Sequence, residues 1–484
     1  MQYETVIGLE VHTQLQTQSK LFSNAPVAYG ADPNSQACEI DLALPGVLPV
    51  LNQKAVELAI LFGLSINATI NPRSIFARKN YFYADLPKGY QISQFDEPIV
   101  IGGHLDLTTE DGIEKRIQIT RAHLEEDAGK STHMNEYGLS GIDLNRAGTP
   151  LLEIVSEPDF RSSKEVISYL KKLHHLVRYL GICDGNMQEG SFRCDINISL
   201  RPHGQKEYGT RAEIKNVNSF RFIKQAIEYE VKRQTECLNR GEKIQQETRQ
   251  YDATTNATYS MRSKEEAHDY RYFPDPDLLP VHITQEQINH IKQSLPELPW
   301  QREHRYQESF NLTPDEVKQI MQDLVTADYF ESIKKLTPDI PAKNAVNLIS
   351  VDLATLTNKH AATFADIPIT PQHCADLLHR IHDKTISNHI AKEILSILWG
   401  KNDSVDNIIE KRGLKQMNNP EELREIARNI ITQNPKQVEQ YRQGKNKLLG
   451  FFVGQVMKQT KGKANPQQVN HLLLKELPTP EENK

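Results

Sequence analysis

The chain is poor in cysteine and tryptophan, with five of the first and two of the second among 484 residues. Cys38, Cys183, Cys194, Cys237 and Cys374 lie far apart and form no CxxC pair. That scatter excludes a disulfide framework and suits reduced thiols in a reducing compartment. No segment approaches the roughly 18 consecutive apolar residues that a membrane span needs, so a membrane role is not expected. The opening Met1-Gln2-Tyr3-Glu4 has neither a basic nor an apolar leader region, and the expected location is cytoplasmic. Positive charge is not in excess either: the formal net charge is -6, which argues against a uniformly basic nucleic-acid coat and makes any RNA contact local. A Walker loop is missing as well. Ala128-Gly129-Lys130-Ser131-Thr132 would need a glycine five residues before Gly129, where Leu124 stands. ATP, if used, must be held by metal and basic side chains on a sheet.

A hydrophobic share of 38% and a charged share of 25% describe an ordinary globular chain, long enough for two to four domains. Residues 1–294 carry short alternating segments and many Gly and Pro turns, which predict a sheet-rich α+β domain. From Arg193 to Leu200, polar Arg193, Asp195, Asn197 and Ser199 alternate with Cys194, Ile196, Ile198 and Leu200, the pattern of a strand with one polar face. Val166, Leu170, Leu173, Val177 and Leu180 recur at helical spacing after Ser162-Ser163, and Gly181 supplies a stop. Residues 295–411 lose glycine and gain helical periodicity, as in Pro314 to Tyr329 and Ile386 to Leu398, and predict a helical domain. Residues 412–484 predict a small helical bundle, because Asn419-Pro420, Asn434-Pro435 and Asn465-Pro466 each place an N-cap residue before a proline at the first helical position.

Carboxylates concentrate on predicted strands. Val6 to Leu15 puts Glu10, His12 and Gln14 on one face; Arg116 to Glu125 runs into the three acids Glu125, Glu126 and Asp127; Asp195 and Glu213 follow, the last between Arg211 and Lys215. Adjacent acids repel unless cations neutralise them. Were these strands neighbours, Glu10, His12, Glu125, Asp195 and Glu213 would form a metal cradle suited to Mg²⁺ or Mn²⁺, with Mg²⁺ the expected ion. The alternative is that each acid pairs with a nearby Arg or Lys on a solvated face. Lys79 to Gln91 interleaves Tyr81, Phe82, Tyr83 and Tyr90 with Lys79 and Lys88, which fits either a loop that stacks a base and contacts phosphate or a packed aromatic corner.

Gly8 to His12, Leu44 to Pro49, Arg78 to Gln94, Glu125 to Lys130, Asp143 to Arg146, Thr149 to Pro158, Glu189 to Asn197, Asp269 to Asp277 and Lys445 to Pro466 together resemble the B subunits of aspartyl/glutamyl-tRNA(Asn/Gln) amidotransferases. The resemblance implies a cradle domain related to glutamine synthetase, then a helical domain and a tRNA-binding tail. It implies transfer of the γ-phosphoryl of ATP to the side-chain carboxylate of mischarged Glu-tRNA(Gln) or Asp-tRNA(Asn), followed by amidation with ammonia. Glu10, His12 and Glu125 then become the leading metal-shell residues, with Asp195 and Glu213 behind them. Lys79 and Lys88 would contact phosphate or guide ammonia, and Arg193, Asn145 and Arg146 would position substrate. Tyr81, Ser191, Asn197 and Lys215 complete the expected substrate-binding set.

No cysteine stands in a nucleophile-elbow setting and no amidase signature with its lysine is found, so ammonia must come from elsewhere. The family supplies it from an amidase partner, the A subunit, together with a small C subunit, giving a heterotrimer. In the tail, Lys436, Arg442, Lys445, Lys447, Lys458, Lys461 and Lys463 face the single acid Glu439, a local basic surface suited to the tRNA backbone. Some family members carry a cysteine zinc site where this chain reads Phe22-Ser23-Asn24-Ala25 and Cys38-Glu39-Ile40-Asp41, so no structural zinc is expected. Two rival readings are a catalytically silent RNA-binding scaffold on the same fold and a phosphoester metallohydrolase.

Overall fold

The computed structural model describes residues 2–109, 111–112, 114–134, 139–263, 270–401, 403–417, 419–460 and 462–477. Two expected features, Lys461 in the basic surface and Asp269 at the head of a motif, fall outside them. The chain divides into two compact units, Met1–Pro299 and Trp300–Lys484. The first is sheet-rich and the second helical, an α+β chain.

A ten-stranded sheet organises the first unit. Its strands are β1 (Tyr3–Gln14), β2 (Thr69–Ile70), β3 (Val100–Ile101), β4 (His104–Thr108), β5 (Glu114–Glu126), β6 (Pro150–Ser156), β7 (Phe192–Pro202), β8 (Ala212–Lys215), β9 (Glu247–Asp252) and β10 (Ala257–Ser263). They lie in the order β10-β9-β8-β7-β1-β6-β5-β3-β2, with β4 also paired to β5. Every pairing is antiparallel except β8 with β9. The first strand of the sequence thus sits between strands that arrive about 150 and 190 residues later in the chain.

Alternation decides which side of that sheet is dry. On β1, Leu9, Val11 and Thr13 are buried while Glu10, His12 and Gln14 are half-buried; on β7, Cys194, Ile196 and Ile198 are buried while Arg193, Asp195 and Asn197 are not. Each fully buried Ile or Leu stabilises the fold by about 2 kcal/mol, so a slip of one residue would turn this whole set to the wrong side. The apolar side is covered by α2 (Ser163–Tyr179) and α3 (Phe220–Asn239), with the His174 ring edge-on to Phe192. α2 starts as expected, Ser162 accepting from the Glu165 backbone N–H, and ends before Gly181, whose φ of 65° favours glycine.

Neither α3 nor α1 (Gln53–Ser65) is legible in the sequence. The buried stripe of α3 includes Glu230 and Gln234, so its apolar period is broken. Glu230 is satisfied by Arg233, Gln234 and Thr258, a buried network that only the fold assembles.

In the second unit, two helical expectations need correction. Pro314 to Tyr329 is not one helix: Pro314–Ile320 ends, and Asp323 caps a new helix, Leu324–Leu336, by accepting from the Thr326 N–H. A competing N-cap overrides a continuous apolar period. Asn419 and Asn465 cap their helices as expected, but Asn434 makes no side-chain cap; its amide donates to the Ile430 carbonyl and closes the preceding helix instead. The tail helices share a core of their own around Leu423, Ile430, Phe452, Val456 and Leu473. Among the described residues no helix is long and apolar enough to cross a membrane.

Candidate active site

Antiparallel register assembles the polar face. On β1, Glu10 lies opposite Asp195 and His12 opposite Arg193 of β7; on the other side His12 faces Glu153 of β6, and Glu153 faces His123 of β5. Asn197 faces Glu213 on β8. Of these side chains Glu10, His12, His123, Glu153, Asp195 and Glu213 line a hollow of about 400 Å³, together with Glu125, Lys79, Arg121, Arg211, Lys215, Tyr270 and Tyr272.

The carboxylates in that hollow form two groups. His12, Glu125 and Glu153 bring one ligand atom each within 4.8 Å of one another, and so do Glu10, Asp195 and Glu213. The five-residue cradle expected from sequence is therefore split: Glu10 stands apart from His12 and Glu125, because two residues along a strand separate side chains by roughly 7 Å. Glu153, which sequence reasoning does not single out, completes the histidine group. Its signal is present, since it alternates with Leu152 and Ile154 inside one of the family-like segments.

In the first group, His12 Nε2 lies 3.6 Å from Glu125 and 3.4 Å from Glu153, and His123 Nε2 lies 3.3 Å from Glu153. Burial works against charge on His12, but the hydrogen bond and charge of Glu153, with the charge of Glu125, outweigh it and raise the imidazole to about 9. Burial and the neighbouring Glu153 push Glu125 up, whereas the two imidazoles overcome burial and hold Glu153 well below its ordinary value. In the second group, Glu10 accepts from Asn197 at 2.8 Å and Asp195 pairs with Lys215 at 2.7 Å. Thr248 donates to Glu213 at 2.8 Å.

The run Glu125-Glu126-Asp127 is resolved by sending each acid to a different partner. Only Glu125 joins the histidines. Glu126 is tied to Lys88 and accepts from the Ile92 N–H, and Asp127 sits 3.2 Å from Arg193 and 3.6 Å from Arg146. The flanking arginines and the Gln14 amide overcome burial and depress the Asp127 carboxyl. Gly129 is required by close packing: a Cβ there would meet the Asp85 and Asp143 carbonyl oxygens at 2.9 Å.

Several expected site residues are placed elsewhere. Lys88 does not line the acidic hollow, since Glu126 holds it. Lys79 does, its ammonium 4.8 Å from the Tyr270 ring centroid. Tyr81 packs edge-on against Tyr83 and Tyr270 and donates to Gln91 at 3.4 Å. Arg146, Asn145, Ser191 and Arg193 line a second hollow of about 690 Å³, which shares Asp195 with the first. Asn145 accepts from the Gln36 N–H and donates to the Asp32 carbonyl, so it braces the loop wall. Arg146 donates to the Ala128 and Gly129 carbonyls, and Ser191 to Asp184. In the tail, Arg442, Lys445, Lys447 and Lys458 are exposed and Lys463 is half-buried.

A model of the GatB/GatE catalytic domain matches residues 5–289, and one of the GatB domain matches residues 328–477. The chain is 61% identical over 477 residues to the B subunit of the aspartyl/glutamyl-tRNA(Asn/Gln) amidotransferase of Coxiella burnetii strain CbuG_Q212, covering 99% of this chain and 100% of that one. The chain belongs to this family of amidotransferase B subunits. The same-named proteins of Thioalkalivibrio sulfidiphilus and Halorhodospira halophila are 57% and 56% identical, with 99% of this chain covered in both and 100% and 99% of theirs. Identity of this extent covers both compact units. All three relatives share the name.

Proposed function

We propose that the acidic hollow phosphorylates the side-chain carboxylate of a mischarged Glu-tRNA(Gln) or Asp-tRNA(Asn) with ATP, and that ammonia then replaces the phosphate. The observation that carries this reading is the pair of three-residue groups on one sheet face. His12, Glu125 and Glu153 would hold one Mg²⁺, and Glu10, Asp195 and Glu213 a second. The all-oxygen set suits Mg²⁺ directly, and the set with one imidazole accepts Mg²⁺ or Mn²⁺. When bound, such ions neutralise charge on phosphate oxygens during transfer.

The chain's own residues do the rest. Asn197 and Thr248 orient Glu10 and Glu213, and Ser93 donates to Glu125 at 3.4 Å, so the carboxylates are fixed before any ligand arrives. Lys79 places a positive charge beside the hollow without an acid partner among the described residues. The larger neighbouring hollow, braced by Asn145 and Arg146, takes the aminoacyl end of the tRNA, and its shared wall at Asp195 brings the side-chain carboxylate toward the phosphoryl donor. Lys88 and Glu126 stand outside this phosphoryl chemistry and are left with the expected alternative of the ammonia path. A glutamine-synthetase-like cradle is the architecture this reading assigns to the first unit.

Ammonia reaches the acyl phosphate from an amidase partner, the A subunit, held with a small C subunit in a heterotrimer. Free ammonia is mostly protonated at neutral pH and is then no nucleophile, which is why the supply must be shielded. Residues 412–484 bind the tRNA backbone through Arg442, Lys445, Lys447, Lys458, Lys461 and Lys463. The assay is co-expression with the two partners, then conversion of Glu-tRNA(Gln) and Asp-tRNA(Asn) in the presence of glutamine and ATP. ATP cleavage that depends on the mischarged tRNA is the expected result; no cleavage would point to a silent scaffold, and cleavage without an aminoacyl group to a hydrolase.

A further inference from the structure

Along β5, residues 121, 123 and 125 point to the polar face and read Arg, His, Glu. His123 and Glu125 meet the histidine group; Arg121 does not. Its cross-strand neighbours are Val155 on β6 and Ile101 on β3, neither of which offers an acceptor side chain. The Arg121 guanidinium nevertheless lines the acidic hollow, beside Tyr272, which is stacked on Phe95 at 4.3 Å between centroids. Its Nε is buried and has no hydrogen-bond partner, and among the described residues no carboxylate pairs with it.

An arginine that lines a hollow with Glu10, Glu125, Glu153, Asp195 and Glu213 and bonds to none of them is an anomaly. A guanidinium is always charged, and a buried N–H without a partner destabilises the fold, so such a group persists where a ligand supplies the missing acceptor. The fork of Arg matches two oxygens of a phosphoryl or carboxyl group. Once divalent ions occupy both groups of carboxylates, the local charge turns positive and favours an anion beside them.

We infer that Arg121 is a catalytic residue that grips the non-bridging oxygens of the γ-phosphoryl group as it passes from ATP to the substrate carboxylate. In that step the bond from phosphorus to the ADP oxygen breaks as the bond to the carboxylate oxygen forms, and no proton moves. Arg121 thereby senses the group that ADP lacks. The inference rests on the proposed phosphorylation chemistry and assigns the arginine of the hollow whose Nε, among the described residues, is buried without a hydrogen-bond partner.

The test uses the complex formed with the co-expressed partners, as wild type, Arg121→Met and Arg121→Lys. Calorimetric titration compares a Mg²⁺-loaded ATP analogue with an imido bridge between the β and γ phosphorus atoms against Mg²⁺-ADP, and kinetics give kcat and the KM for Glu-tRNA(Gln). Wild type should prefer the triphosphate by about tenfold, the gain of one charged hydrogen-bonding fork. Arg121→Met should erase that preference, leave ADP affinity unchanged, lower kcat about a hundredfold and leave the KM for the tRNA alone. Arg121→Lys, which keeps the charge and loses the fork, should lie between and guards against a misfolded methionine variant.

A preference for the triphosphate that survives in both variants overturns the inference. So does a raised KM for the tRNA with nucleotide binding intact, which would place Arg121 on the substrate carboxylate. Wild type that binds neither nucleotide defeats the reading of the hollow itself, an outcome seen before any variant is compared.

Discussion

The acidic hollow and the basic tail put charge to opposite uses and are stabilised differently. In the hollow, acids from β1, β5, β6, β7 and β8 meet at buried or half-buried positions on a sheet whose other side is dry, and each is oriented by an amide, a hydroxyl, an imidazole or an ammonium. In the tail, Arg442, Lys445, Lys447 and Lys458 stand exposed on short helices and the turn between them, around a separate core, so each keeps its solvation. The contrast teaches that a reactive charge must be held against its neighbours, whereas a charge meant for an extended polyanion needs only exposure and number.

The sharpest way to break this contrast is to remove a held charge. Glu153→Gln and Glu125→Gln should each cut tRNA-dependent amide formation by more than about a hundredfold, with the melting temperature nearly unchanged, as measured by gel separation of Gln-tRNA from Glu-tRNA. Activity intact in Glu125→Gln would remove that residue from the site.

Next in size is a buried pair under the loop that walls the larger hollow. The Lys20 side chain is 0% exposed and lies 3.0 Å from Asp41, which also accepts from Ser23. Lys20→Met should leave Asp41 buried without its cation and destabilise the first unit by about 3–5 kcal/mol in urea unfolding. The double change Lys20→Met with Asp41→Leu should restore part of that loss; no restoration would mean that the pair is not an isolated electrostatic unit.

Removing residues 412–484 should weaken tRNA binding by at least about tenfold in filter binding and spare the near-ultraviolet spectrum of the first unit. Affinity left unchanged would strip the tail of its role. Replacing Lys445, Lys447 and Lys458 together by Gln should reduce the slope of log affinity against log salt by about three. At the small end, Asn465→Ala should cost about 1 kcal/mol through loss of a helix cap, and Asn434→Ala should act on the helix before it rather than the one after it.

Legibility followed the range of the interactions. β1, β7, α2 and two of the three Asn-Pro helix starts were readable because alternation, helical period and capping act over a few residues. α3 was hidden because Glu230 and Gln234 interrupt its buried stripe, and the break at Asp323 was hidden because one local signal overrode another. Glu10, His12, Glu125, Asp195 and Glu213 could be named as acids and imidazole on polar strand faces. Their division into two groups could not, because it depends on which residue of β1 lies opposite which residue of β6 and β7.

By itself the sequence determined the family, the sheet-then-helix order, the polar side of each major strand and the basic character of the tail, since all of these are written in composition and short-range pattern. The tertiary structure alone decided that Glu153 joins His12, that Lys88 is engaged by Glu126, that Arg193 turns to Asp127, and that Arg121 is left with an open fork. The reason is physical: an electrostatic partner is chosen by distance across strands, and strands distant along the chain become neighbours only when burial of the opposite face fixes their register.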